Sequence, residues 1–126
     1  MAESRAIVIA AGTVSAEARL NESKTAAAIW AALPIEAEGE TWGDEIYFDI
    51  GLAVGAESPR DVVEVGDLGY WPPGRAFCIF FGPTPMSRGA EIRPASAVNL
   101  IGRIVGDATV FKRVSAGTRI TLRRAP

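Results

Sequence analysis

The fold is constrained most by a succession of short β-rich segments with Gly or Pro standing in every interval. Residues 45–50, 62–65, 67–71, 75–81, 97–105 and 118–124 are enriched in β-branched and aromatic side chains, and each ends at such a breaker. Upstream, Val14, Ala16, Ala18 and Leu20 alternate with polar neighbours, so residues 5–20 read as two antiparallel strands turning near Gly12. Helical spacing is convincing once. Ala26, Ile29, Trp30 and Leu33 form one apolar stripe over residues 24–33, with Pro34 as the stop and Trp30 as a core plug. Residues 107–114 read as a turn with one helical turn opened by Asp107. About eight short strands need closure to hide their edges, which predicts a mainly β, closed barrel with the helix capping one open end.

A chain of 126 residues with 48% hydrophobic content can bury its own core, and no repeat or linker divides it, so residues 1–126 are expected to form one domain. A net charge of -2 spread over both signs sets up no field for nucleic acid. No His and a single Cys remove the commonest ligands, so no metal and no cofactor is expected. The apolar run after Arg5 has the look of a secretory signal, but Glu3 stands where such a segment is basic. No run is long enough to span a bilayer, and the expected setting is cytoplasmic, without membrane.

Aromatic side chains concentrate in WGDEIYF and in VVEVGDLGYWPPGRAFCIFFGPTPMS, which PASAVNLIGRI follows. Strand alternation predicts Ile46, Phe48 and Ile50 on one face and Glu45, Tyr47 and Asp49 on the other. By the same parity Phe77, Ile79 and Phe81 form the bulkier inward set, leaving Phe80 outward beside Cys78. The Tyr70-Trp71-Pro72-Pro73 turn can hold an aromatic wall rigid, and Trp71–Pro72 is a candidate cis bond. Cys78 has no basic neighbour in sequence and reads as a buried, inert thiol. Asp44 with Glu45, and Asp61 with Glu64 and Asp67, read as solvated charges or turn caps, with Glu45 the exception because it shares a face with Tyr47 close to Trp42.

These motifs, in this order and over nearly the whole chain, resemble a family of small bacterial and archaeal cyclophilin-like proteins of unassigned role. More distantly, residues 76–79, 84–87 and 101–106 resemble the Ser-Gln-Phe-Phe-Ile strand, the Thr-containing loop and the Phe-Gly-Lys-Val-Val-Glu-Gly segment of peptidyl-prolyl isomerases of the cyclophilin type. The resemblance implies an eight-stranded barrel with its site on the outer wall. It also exposes departures. The strand that carries the catalytic Arg of cyclophilins reads WGDEIYF here, while Ala76 stands for their Gln, Cys78 for a Phe, and Met86 for a Trp or His.

The leading functional reading is a barrel that binds a peptide segment or small apolar ligand on an outer wall made by Trp42, Glu45, Tyr47, Tyr70, Trp71, Phe80, Thr84 and Met86, without efficient catalysis. Loop 82–94, with Met86 and two cations, is a candidate for the opposite rim. One alternative is a prolyl isomerase with an altered active site. Another is an interaction module whose aromatic patch is buried in a homo-oligomer.

Overall fold

The computed structural model describes residues 5–126, so Glu3 lies outside the described residues. β1 (Arg5–Ala11) and β2 (Val14–Leu20) form a hairpin around Gly12, whose φ of 61° is a left-handed conformation that glycine adopts without strain. Ile7, Ile9 and Ala11 point inward, as do Val14, Ala18 and Leu20. Helix α1 (Lys24–Ala32) starts at Ser23, whose hydroxyl accepts from the Ala26 amide at 3.1 Å. Its Ala26 and Ile29 are fully buried. Trp30, expected as a core plug, is only half-buried: it sits at the helix end with the Arg124 guanidinium 4.5 Å from its ring centre.

The remaining strands are β3 (Ile35–Glu38), β4 (Glu40–Thr41), β5 (Glu45–Asp49), β6 (Asp67–Trp71), β7 (Ala76–Phe80), β8 (Asn99–Ile104) and β9 (Arg119–Arg124). They form one antiparallel sheet in the order β3-β9-β1-β2-β8-β6-β7-β5-β4. Only Gly39 separates β3, at one end of that order, from β4 at the other, so a single segment draws the sheet into a nearly closed barrel. A Cβ at Gly39 would lie 2.3 Å from Cδ1 of the fully buried Ile120, so a side chain at that corner would have to displace a core residue.

The sequence expectations need correction at three points. Residues 62–65 are not a strand: both edges of β6 are already taken by β7 and β8, and the segment keeps one isolated bridge, Val63 to Ile92. β3 and β4 escape a propensity reading because Glu36, Glu38 and Glu40 dominate them, although Ile35 and Ala37 pack against the core. The cis X-Pro bond is Leu33–Pro34, and Trp71–Pro72 is trans. Residues Ala108–Arg113 form a 3-10 turn, and Asp107 caps it by accepting from the Thr109 amide at 2.9 Å.

The interior is filled by Phe48, Leu68, Tyr70, Phe77, Ile79 and Phe111 with the aliphatic side chains of β1, β8 and β9. A second, smaller apolar layer lies outside the sheet, where Ala76, Cys78, Phe80 and Val98 pack with Val63 and Ile92. No helix among the described residues is long and apolar enough to cross a membrane.

Candidate binding site on the outer wall

The outer layer is built by strand parity. Ile46 and Phe48 of β5 face the core and are buried, while Glu45 and Tyr47 face the other way. Outward does not mean exposed here. Glu45 stands opposite Phe80 and Tyr47 opposite Cys78 across the β5–β7 ladder, Tyr47 packs against the cluster that contains Val98, and Glu45 is only 5% exposed. Phe80, outward as the sequence predicts, is completely covered. Gly69 of β6 makes that packing possible, since a Cβ there would lie 2.9 Å from Val98 and 3.2 Å from the Phe80 ring.

A cavity of about 260 Å³ opens in this layer, lined by Trp42, Glu45, Tyr47, Trp71, Pro94, Ala95 and Val98. Each wall is fixed from behind. Trp42 leads a tight turn in which its amide donates to the Glu45 carbonyl at 2.9 Å and Gly43 has φ 61°. The Asp44 amide then donates to the Pro83 carbonyl at 2.8 Å, tying that turn to the loop at residues 82–94. Trp71 is half-buried: its indole N–H donates to Ser96 Oγ at 2.6 Å and its ring lies over Gly74, where a Cβ would fall 2.7 Å from two ring carbons. The Trp-Pro-Pro-Gly sequence therefore holds the indole through a 3-10 turn, Pro72–Gly74, and one obligatory glycine.

Glu45 is the polar element of the cavity. Its Oε1 is buried with no hydrogen-bond partner, and burial pushes its pKa up to about 7, offset in part by the adjacent Cys78 thiol. Cys78 is itself fully buried and pushed up, by burial first and by the Glu45 charge second. A second, wider concavity of about 910 Å³ runs past Arg19, Arg60, Leu100 and Arg103. Its Arg103 is committed to Asp67 at 2.8 Å and to Glu64 at 3.6 Å. No group of three or more potential metal-ligating side chains occurs among the described residues.

A profile described as Cyclophilin-like matches residues 5–123. The chain belongs to the cyclophilin-like family. Its fold also matches the solution structure of a hypothetical protein from Archaeoglobus fulgidus, with a TM-score of 0.83, 44% identity, and coverage of 97% of this chain and 95% of that one. No curated protein matches the chain.

Within this cyclophilin-like frame, four of the eight sequence-selected residues, Trp42, Glu45, Tyr47 and Trp71, line one cavity. The other four do not. Tyr70 points into the barrel, where its hydroxyl donates to the Leu52 carbonyl at 2.5 Å and accepts from the Val54 amide at 3.1 Å. Phe80 lies in the layer that carries Glu45. Thr84 is buried and donates to the Arg93 carbonyl, while Ser87 accepts from the Thr84 and Arg93 amides, a knot just before Pro94. Met86 is 50% exposed and away from the cavity. Sequence reasoning missed Pro94, Ala95 and Val98, which carry no distinctive chemistry and reach the site only through the fold.

Proposed function

We propose that this cyclophilin-like barrel is a binding module whose outer cavity receives one side chain of a peptide, or a small, largely apolar molecule, without prolyl isomerase turnover. The supporting observation is the cavity lining: three aromatic side chains, Pro94 and Val98 surround a single carboxyl group, and no Arg or Lys is among them. Isomerisation of the cyclophilin kind would need a permanently cationic donor directed at the twisted amide, and the one ionisable group with a raised pKa in the lining, Glu45, is a carboxyl that is either neutral or negative. At about 260 Å³ the cavity falls below the roughly 300–1,000 Å³ of sites for drug-sized ligands, which favours a small group over a long peptide. The reading supposes a cytoplasmic, reducing setting for the free Cys78 thiol.

Exchange spectroscopy on an X-Pro peptide with micromolar protein tests the catalytic half. The expected result is no acceleration. A rate near that of ordinary cyclophilins, lost in Arg75→Ala or Arg93→Ala, would overturn it. Self-association through the aromatic patch competes with the binding half, and a dimeric solution mass that Trp71→Ala reduces to a monomer would replace the ligand by a second copy.

A further inference from the structure

We propose that the outer cavity is selective for a protonated alkylamine, whose charge pairs with the Glu45 carboxylate and whose carbon chain packs against Trp42, Tyr47 and Trp71. This rests on the reading of the cavity as a binding site and names the ligand chemistry. Glu45 Oε1 has no hydrogen-bond partner, the weak donor beside it, the Cys78 thiol, being directed to the Ala76 carbonyl at 3.8 Å; such a buried carboxyl oxygen is uncommon in a folded chain, because it loses its hydration without replacement. The surroundings of that oxygen point to a ligand. Glu45 lines an open cavity, and the indole N–H of Trp71 in the same lining is engaged by Ser96. The terminal torsion of a Glu side chain is soft, so a small rotation presents either oxygen to the cavity. Aromatic walls favour a cation, Trp most strongly, and two of the three aromatic residues here are Trp. An ammonium with at least one N–H satisfies both elements, whereas a quaternary ammonium leaves the carboxyl oxygen without its hydrogen bond.

The groups facing Glu45 are few. β7 contributes the Cys78 thiol, β5 contributes Tyr47, and the lining residues from β6 and from residues 94–98 carry no charge. Asp44, the next acidic residue, pairs with Lys112 at 3.8 Å and is not part of the lining. Between pH 6 and 8 an alkylamine keeps its proton, while Glu45, titrating at about 7, passes from neutral to charged. Amine affinity therefore rises with pH across that window.

The test is a titration followed by protein NMR at pH 6 and pH 8, using butylamine against 1-butanol and N-acetyl-lysine methylamide against N-acetyl-norleucine methylamide. The expected result is that the amines shift the Trp42 and Trp71 indole signals with about tenfold higher affinity at pH 8 than at pH 6, with the neutral partners insensitive to pH. Whichever amine binds more tightly distinguishes a free small amine from a lysine side chain as the source. In Glu45→Gln, confirmed folded by its amide spectrum, amine affinity is expected to fall to that of the neutral partner and to lose its pH dependence. Equal binding of amines and neutral partners at both pH values would overturn this inference and leave the binding reading standing, as would affinity that rises toward low pH. No cavity shift with any of the four probes would overturn the binding reading itself.

Discussion

Tyr70 and Trp71 are adjacent on β6, yet one belongs to the fold and the other to the site. Tyr70 faces the interior, is fully buried, and has its hydroxyl saturated by the Leu52 carbonyl and the Val54 amide, so it fastens the loop crossing the barrel mouth. That face continues the same way. Asn99 binds Thr25, Gly55 and Glu57, and Glu57 in turn accepts from the Lys24 and Thr25 amides at the start of α1. On the outer face Trp71 stays half-exposed and Glu45 is left without its complement. The contrast separates polar groups that the fold satisfies from Glu45 Oε1, which it leaves open, and the proposed function places the ligand at the open one.

The sharpest way to break this contrast is to truncate one aromatic residue on each face. Phe77, buried and stacked on Phe48 at 5.2 Å between ring centres, is expected to cost about 3–5 kcal/mol on change to Ala. Trp71→Ala, which removes a half-exposed ring, is expected to cost about 1–2 kcal/mol while abolishing ligand-induced shifts at the cavity. Half-buried Trp30→Ala should fall between them. Urea midpoints for the three variants decide the order, and equal losses at Phe77 and Trp71 would make Trp71 a structural roof.

Glu45→Gln sharpens the same contrast through pH. The folded protein holds the Glu45 proton up to about pH 7, whereas the unfolded chain releases it near 4.5, so between those values the folded state binds more protons. Stability of the unliganded protein therefore falls as pH rises through that window. The displacement corresponds to about 3 kcal/mol, fully lost above pH 7. Gln removes the loss. Glu45→Gln is expected to match the wild type near pH 4.5 and to exceed it increasingly up to pH 8, measured by urea unfolding. A difference independent of pH would mean that Glu45 is ionised in the fold at neutral pH.

How much of this was legible beforehand depends on whether the signal was local. The hairpin at Gly12, the strand limits around Asp67–Trp71, and the inward set of Ile46 and Phe48 follow from alternation and turn residues, which are local properties. The aromatic lining at Trp42, Tyr47 and Trp71 was visible for the same reason. Burial of Glu45 was not, because the layer around it combines Phe80 of β7 with residues 94–98, which only the fold brings to one cavity. Tyr70 was misplaced because a Tyr next to a Trp suggests one continuous wall, whereas adjacent strand residues take opposite faces. β3 and β4 were invisible because barrel closure, rather than propensity, makes Ile35–Glu38 and Glu40–Thr41 strands.

Glu57 supplies the smallest expected effect and the opposite sign. Its carboxylate is held below the usual carboxylate range by the Thr25 hydroxyl first, and then by the Thr25 and Lys24 amides, with no opposing desolvation of comparable size. A lowered folded-state value means that the contribution is present above the unfolded value of 4.5 and is lost as pH falls through the lower folded value. Glu57→Gln keeps one oxygen acceptor but gives up the charge at the start of α1, so it should be slightly less stable than the wild type at pH 7. That deficit is expected to shrink as pH falls below 4.5, in urea melts of the two proteins run side by side. Glu45→Gln, in contrast, should gain over the wild type as pH rises from 4.5 to 7. Two glutamates in one small barrel would then give pH profiles that diverge in opposite directions from their own variants. A Glu57→Gln deficit that does not change with pH would show that the carboxylate charge contributes nothing there, and would remove the electrostatic half of the contrast with Glu45.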